Sequence, residues 1–466
     1  MKPFLRYFEI DLDLHELHVA HPQRYPFLFE TVALGSTGAQ YDILFAFPAE
    51  TLLLDHEYEL HMVNDNGDHS DVAIGTHNDF LEAFNHYWEQ QQEHASDKTI
   101  SIPFSGGWFV YLSYELAQQI EPRLDLPMGH DGLPVAFATR IPAAIIRDHK
   151  NGQVIVVAEA GRKSQFQTLC NDLEFFIPFV TSASSNFTIG NIAEESPQDY
   201  IHSVERIKQY IRDGDVFQVN LSRQWQATLK STISHNDLYR TLRQNNPAPF
   251  FGLVTLGDNA IISSSPERLV RVRDRRIETR PIAGTRPRGD SGAIDKVNQT
   301  ELLGHPKERA EHIMLIDLER NDLGRVCVPG TVQVDELMAL ESYAHVHHIV
   351  SNVRGELQED IKPGDVIRAV FPGGTITGCP KVRCMEIIAE LEQIGRGAYT
   401  GSMGYINIDG SMDFNILIRT MVKSGRQLFI RAGAGIVSDS VPEKELEETR
   451  AKARGLLLAL GIEPAT

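Results

Sequence analysis

Two glutamate pairs are the first candidates for chemistry. In "HPKERAEH" Glu308 and Glu311 are three residues apart, so on a helix both carboxylates project from one face. "VPEKELEETRAKAR" repeats that spacing with Glu445 and Glu448 and sets Lys452 one turn further on. Brought together, the pairs would form an oxygen-rich site suited to Mg²⁺, which takes a few carboxylates plus water and substrate oxygens. Kept apart, they are solvated helix faces with ordinary Glu–Lys pairs. Two glycine clusters, "FPGGTITGCPK" (371–381) and "RAGAGIVSD" (431–439), offer backbone amides that can approach an anion, or else plain turns. Neither fits a P-loop or a dinucleotide fingerprint. In "HVHH", His345 and His347 share one face of a strand and His348 takes the other. No zinc partner motif accompanies them, so a single functional histidine is the economical reading. There is no GxSxG elbow and no cysteine nucleophile signature.

These residues need elements to hold them. "SPQDYIHSVERIKQYIRDGD" predicts a helix with a Ser-Pro start and Gly214 as its stop. "HPKERAEHIMLIDLERNDLGR" predicts another, opened by Pro306 and closed near Gly324, and a last helix runs from about Pro442 to Leu460. Residues 252–282 read as consecutive strands turning at 257–259 and 274–275, and residues 401–440 as a strand meander with Asp-Gly and Ser-Gly turns. Strands joined by hairpins, with helices gathered between them, predict an α+β fold built on antiparallel sheets. The Ser/Thr/Asn-rich stretch after residue 180 reads as a linker, which divides the chain into an N-terminal region (1–180), a linker (181–198) and a C-terminal region (199–462).

Composition bounds the function. The chain has 466 residues, 42% apolar and 23% charged, as in globular proteins. No apolar run approaches the roughly 18–20 residues that span a bilayer, and the acidic start lacks the apolar core of a signal peptide. No membrane association and a cytoplasmic location are therefore expected. A formal charge of −19 argues against a nucleic-acid partner. It also requires any site for an anion to be locally basic or to hold a metal. The four cysteines show no zinc-type pairing, so reduced structural thiols are expected.

Taken together and in order, "SSPERLV", "RPIAGTRPRG", "HPKERAEHIMLIDLERNDLGRV", "YAHVHHIVSNVRGEL", "FPGGTITGCPKVRCMEIIAELE", "RGAYTGSMGY" and "RAGAGIVSDSVPEKELEET" resemble the chorismate-binding enzymes. The likeness is dense from about Asp199 to Leu460, and residues 25–48 look like the N-terminal domain of the aminating members. The resemblance implies large antiparallel sheets in a sandwich flanked by helices, as in anthranilate synthase component I. It implies a Mg²⁺ shell of Glu308, Glu311, Glu445 and Glu448, with chorismate, a dianion, held through its ring carboxylate. Tyr399, Arg419, Lys452 and the backbone of Gly433, Ala434 and Gly435 match positions that bind substrate carboxylates. Thr285 and Thr375 fall at substrate-contacting positions, Glu267 matches the general acid for the C4 hydroxyl, and His348 matches the active-site histidine.

The nucleophile is implied by one further position. Members that add water carry a lysine base where this sequence has Gln218, and Gln resembles the members that take ammonia from a separate glutamine amidotransferase subunit. Two aminating reactions then remain. Aminodeoxychorismate synthases aminate C4 and usually read "PIKGT", whose lysine is a nucleophile. Anthranilate synthases aminate C2, eliminate pyruvate and read "PIAGT", as here with Ala283 at the lysine position. The longer stretches, "QYDILFAFP", "NNPAPFFGLV", "FPGGTITGCPKVRCMEII", "GAYTGSMGYINIDGSMDFNILIRTM" and "LEETRAKARGLL", resemble aminodeoxychorismate synthase component I. They outweigh the alanine, and C4 amination for p-aminobenzoate and folate synthesis is the expectation.

Overall fold

Proline and turn residues set the element boundaries in this computed structural model, which describes residues 2–32, 40–64, 69–70, 79–92, 102–176, 189, 192–230, 233–288, 292–342 and 346–462. Helix Pro197–Arg212 is capped by Ser196, whose side chain accepts from the Asp199 N–H, and Gly214 follows it at φ +83°. Helices Pro306–Gly324 and Pro442–Ala459 each begin with proline in the first turn, where its missing N–H costs nothing. The expected turns at 257–259 and 274–275 are present, with Gly257, Asp274 and Arg275 all at positive φ.

Among the described residues two twelve-stranded sheets carry the fold, and the pairings along both are antiparallel. The first runs from Phe4–Phe8 through Gln153–Ala158, Ala143–Asp148, Tyr41–Ala46 and Phe27–Glu30. It continues through Phe250–Leu256, Asn259–Ser265, Thr420–Ser424, Gln427–Ile436 and Gln218–Thr228 to Ile192–Glu194. The second joins Ile282–Pro287, Val346–Glu356, Arg276–Thr279, Arg268–Arg273, Met412–Asn415 and Ser402–Asn407 to Gly107–Leu112, Ala136–Ile141 and the strands beyond.

The sheets face each other across a core that includes Phe27, Phe45, Phe109, Phe137, Met403 and Leu417. The rings of Phe27 and Phe109, one from each sheet, stack at 4.2 Å. Helices Leu14–Ala20, His235–Asn245 and Pro442–Ala459 cover the outer face of the first sheet, and helices Phe80–Gln92 and Pro363–Val370 that of the second. This is the expected α+β sandwich flanked by helices.

Two features differ from the reading by periodicity. The 401–440 run is not one meander, because Met412–Asn415 belongs to the second sheet and Thr420–Ser424 to the first, so the chain crosses the sandwich at 416–419. Both sheets also contain strands from either side of the expected linker: Leu28 pairs with Leu253, and Phe109 with Tyr405. Most of the linker itself, 181–198, lies outside the described residues.

Candidate active site

Adjacent strands Gln218–Thr228 and Gln427–Ile436 form one wall of the site. They pair with Asn220 opposite Gly435 and Ser222 opposite Gly433. Strand alternation puts Gln218 and Asn220 on one face. Both are buried, and among the described residues Gln218 Oε1 and Asn220 Oδ1 have no hydrogen-bond partner. The facing glycines leave the space: a Cβ on Gly435 would lie 2.6 Å from Gln218 Nε2, and one on Gly433 would lie 2.6 Å from Leu221 O and 2.9 Å from the Tyr399 hydroxyl. These glycines therefore lie within a strand rather than in a turn, and their missing side chains admit the Gln218 amide and the Tyr399 hydroxyl. Ala434, between them, turns its side chain into the core beneath helix Pro197–Arg212. Lys452 closes this corner, donating from Nζ to Gly433 O at 3.0 Å and pairing with Glu448 at 2.8 Å.

Glu267 forms the centre. It leaves strand Asn259–Ser265 through Pro266, and its backbone is tied on both sides, with the N–H donating to Ser265 Oγ and the carbonyl accepting from the Ile416 N–H. Burial pushes its carboxyl up to about 7, while the Thr375 hydroxyl, the Ile282 N–H and the Lys452 ammonium restrain the rise. Oε1 of Glu267 and Oγ1 of Thr375 are nevertheless both buried, without a hydrogen bond of normal geometry among the described residues. Thr375 sits in a single 3₁₀ turn, Gly374–Ile376, pressed against helix Pro306–Gly324, where a Cβ on Gly374 would lie 2.4 Å from Leu318 Cδ2. A carboxyl with a pKa near neutrality is suited to donating a proton to a leaving oxygen.

The second sheet supplies the opposite wall. His348 stands on strand Val346–Glu356, in register with Thr285 of strand Ile282–Pro287. Burial and the nearby Arg419 cation push its pKa down to about 4, against a hydrogen bond to the Gly284 backbone that raises it, so the imidazole is neutral at pH 7. Ala283 is in register with Ile349; of Ala283 and Thr285 the described part is the backbone. His347, on the other face, bonds Asp295 Oδ1 at 2.9 Å and Ser342 at 2.7 Å, a structural role, and His345 lies outside the described residues. Arg419 stands at the crossing between the sheets at φ +53°. Burial lowers its pKa, and among the described residues no carboxylate pairs with it, which leaves its charge for an anion.

The glutamate pairs border this space from two helices. Glu308, in the first turn of its helix, takes Arg286 Nη1 at 3.1 Å and lies 2.9 Å from the Cβ position of Gly284. Glu311 is on the same face one turn on. Glu445 is buried and Glu448 half exposed, and both raise the pKa of the Tyr200 hydroxyl. Glu308 lies beside Gly284, whose backbone bonds His348, while the Lys452 ammonium that pairs with Glu448 acts on Glu267 through its charge. Among the described residues, no group of three or more His, Cys, Asp or Glu side chains is gathered as a metal would require. The donor set itself, carboxylates alone, suits a hard divalent cation.

Along these walls stand two cations, Arg419 and Lys452, and one carboxyl, Glu267, raised toward neutrality. Residues 33–458 match the family described as chorismate binding enzyme. The chain belongs to the chorismate-binding enzymes. Its relatives include aminodeoxychorismate synthase component 1 of Bacillus subtilis (strain 168), 42% identical over 403 residues that cover 84% of this chain and 85% of the relative. Anthranilate synthase component 1 of Aquifex aeolicus (strain VF5) is 41% identical over 374 residues, 77% of this chain and 75% of the relative. The crystal structure of anthranilate synthase component I from Streptococcus pneumoniae TIGR4 superposes with a TM-score of 0.77 at 32% identity, over 91% of this chain and 93% of that one. The chain is thus a chorismate-utilising enzyme with the anthranilate synthase component I fold, and no helix among its described residues is long and apolar enough to cross a membrane.

Sequence reasoning missed three groups here. Asn220 was legible in principle, two residues along the strand from Gln218 and so on its face. Glu319, pushed up to about 8 by burial and by Asp322, lies beside Gly374, and Lys381 and the Thr279 hydroxyl restrain the rise. Under Tyr399, Glu392 holds both Arg396 at 2.7 Å and Arg431 at 2.8 Å, and Arg396 in turn bonds the Asn220 carbonyl at 2.7 Å. The i, i+4 spacing of Glu392 and Arg396 reads as a surface pair, but both are buried.

Proposed function

We propose that this chorismate-binding enzyme aminates C4 of chorismate, giving 4-amino-4-deoxychorismate for p-aminobenzoate and folate synthesis, with ammonia supplied by a glutamine amidotransferase subunit. The observation that carries the reading is Gln218, a buried amide on the site wall that cannot take a proton from water. A lysine there would be the base for hydration. Likeness to aminodeoxychorismate synthase component 1 over 84% of the chain supports the choice of C4.

In this reading Arg419, Lys452 and the amides of 433–435 hold the substrate carboxylates, with Tyr399 beside them. Glu267 protonates the C4 oxygen, so that water rather than hydroxide departs. Neutral His348 supplies a hydrogen bond and no charge. Glu308, Glu311, Glu445 and Glu448 would hold Mg²⁺, which when bound neutralises the ring carboxylate of the substrate. Arg286 and Lys452 now neutralise Glu308 and Glu448.

Anthranilate synthesis is the second reading. Ala283 favours it, since a methyl cannot form a covalent adduct, and so do several anthranilate synthase relatives. The product decides. Chorismate, Mg²⁺ and ammonium should give a compound that becomes p-aminobenzoate only after a lyase is added, whereas fluorescent anthranilate released directly would overturn the choice. Glutamine should replace ammonium only when an amidotransferase is present, and full activity in excess chelator would remove Mg²⁺ from the account.

A further inference from the structure

We propose that Glu115 is a positioning residue for the substrate site, a buried carboxylate that must be ionised to hold the loop bearing Arg396 and Tyr399; this rests on the reading that places chorismate against Tyr399 and strand Gln218–Thr228. Glu115 stands in the 3₁₀ turn Tyr114–Leu116, just after strand Gly107–Leu112, and is 2% exposed. Its Oε1 accepts two successive backbone N–H groups, from Arg396 at 2.7 Å and Gly397 at 3.0 Å. Asp131 takes the third, from Ala398 at 2.9 Å. Three consecutive amides thus converge on two carboxyl groups, and such bonds are stronger when the acceptor is charged. The approach is close: a Cβ on Gly397 (φ +57°) would lie 2.1 Å from Asp131 Oδ2, and one on Gly395 2.2 Å from the Met128 carbonyl carbon. Both carboxyl groups precede the expected linker in the chain, and the loop they hold follows it.

From that loop the site is held at three points. The Arg396 guanidinium donates to the Asn220 carbonyl at 2.7 Å, on the site wall, and to the Ile376 carbonyl at 3.1 Å, in the turn that carries Thr375. Tyr399 follows, with its N–H on the Arg396 carbonyl at 3.1 Å and its hydroxyl beside Gly433. A shift of the 396–398 backbone therefore moves Tyr399, Thr375 and Asn220 together. Burial pushes the Glu115 carboxyl up to about 7, with the Gly397 N–H restraining the rise and the Asp131 charge adding to it. Burial raises Asp131 as well, against the charge of His56. The phenols of Tyr58, Tyr111 and Tyr114 feel the Glu115 charge and are kept neutral by burial, and the Arg396 guanidinium pairs with Glu392. As pH falls through about 7, Glu115 takes up a proton, its bonds to the loop weaken, and chorismate affinity falls.

The test titrates the full chain with chorismate, Mg²⁺ present and ammonium absent, between pH 6 and pH 8, for wild type and Glu115→Gln. Glutamine keeps the size and an acceptor oxygen but never the charge. Dividing the variant Kd by the wild-type Kd at each pH cancels the titration of Glu267, which both proteins share. The ratio should be about fivefold or more at pH 8 and fall to within about twofold at pH 6, where the wild type has itself lost the charge. A purely structural defect would weaken binding equally at both. Asp131→Asn removes a charge that helps to raise Glu115, so the pH at which affinity is lost should move down by about half a unit or more. That variant carries the test if Glu115→Gln does not fold. A ratio that is the same at both pH values, a Glu115→Gln chain that binds like wild type at pH 8, or an unmoved midpoint in Asp131→Asn overturns the assignment. Wild-type chain with no measurable affinity for chorismate would instead sink the placement of the substrate before any variant is compared.

Discussion

Replacing Glu267 by Gln should abolish turnover and at the same time stabilise the folded protein at alkaline pH. The magnitude follows from burial. The carboxyl sits at about 7 in the folded chain against 4.5 in the open. At 1.36 kcal/mol per pH unit that gap amounts to about 3 kcal/mol. Below pH 4.5 both states carry the proton and burial costs nothing through this group. As pH rises from 4.5 to 7, the unfolded chain releases its proton while the folded one keeps it, so stability falls. Above 7 the full cost is present, because a charged carboxylate is then buried at 5% exposure. Glutamine is neutral throughout, so the advantage of the variant should grow from nothing near pH 4.5 to about 3 kcal/mol at pH 8. Denaturant melts of both proteins at pH 5 and pH 8 measure it. Wild-type turnover should decline above about pH 7, where the acid has lost its proton. A variant no more stable than wild type at pH 8 would refute the reasoning, since Lys452 and Thr375 would then offset the burial entirely.

Lys452→Met removes the cation that restrains Glu267, so the alkaline limb of the rate profile should move to higher pH; a fixed midpoint would show that the two groups do not sense each other. Gly433→Ala puts a methyl 2.6 Å from a backbone oxygen, Leu221 O. Because backbone must shift, chorismate affinity should fall about tenfold or more and stability by about 1–3 kcal/mol, as titration and melts would report. Glu392→Gln deprives Arg396 and Arg431 of their shared buried charge and should cost about 3–5 kcal/mol. A thermal midpoint at the wild-type value would show that the network is dispensable.

Punctuation residues made the elements legible. Ser196-Pro197, Pro306, Pro442, Gly257 and Asp274-Arg275 each fix φ or satisfy an end locally, so a short window of sequence contains the cause. Sheet membership was not legible, because alternation records that a strand has a buried face and says nothing of its partner. Met412–Asn415 and Thr420–Ser424 look alike in sequence and lie in opposite sheets. The same division holds in the site. Glu267, Thr375 and the paired glycines were found from wording, whereas the groups that restrain the burial-driven rise of Glu267 come from three distant segments, at Ile282, Thr375 and Lys452. The unpartnered oxygen of Asn220 could be seen only once every neighbour was placed.

The shared sheets also govern how the chain can come into being. Strand Phe27–Glu30 must wait for Phe250–Leu256, and Gly107–Leu112 for Ser402–Asn407. Synthesis at about 5–20 residues per second separates residue 112 from residue 402 by roughly 15–60 s. For that interval the nascent N-terminal strands present open edges and an apolar face that includes Phe27, Phe109 and Phe137, the conditions under which chains associate with one another or with chaperones. Completion is then a late, long-range closure rather than the addition of a finished second unit. The open edges give a reason to expect that the two halves, made as separate polypeptides, would each be insoluble alone and would dissolve and gain activity only when produced together.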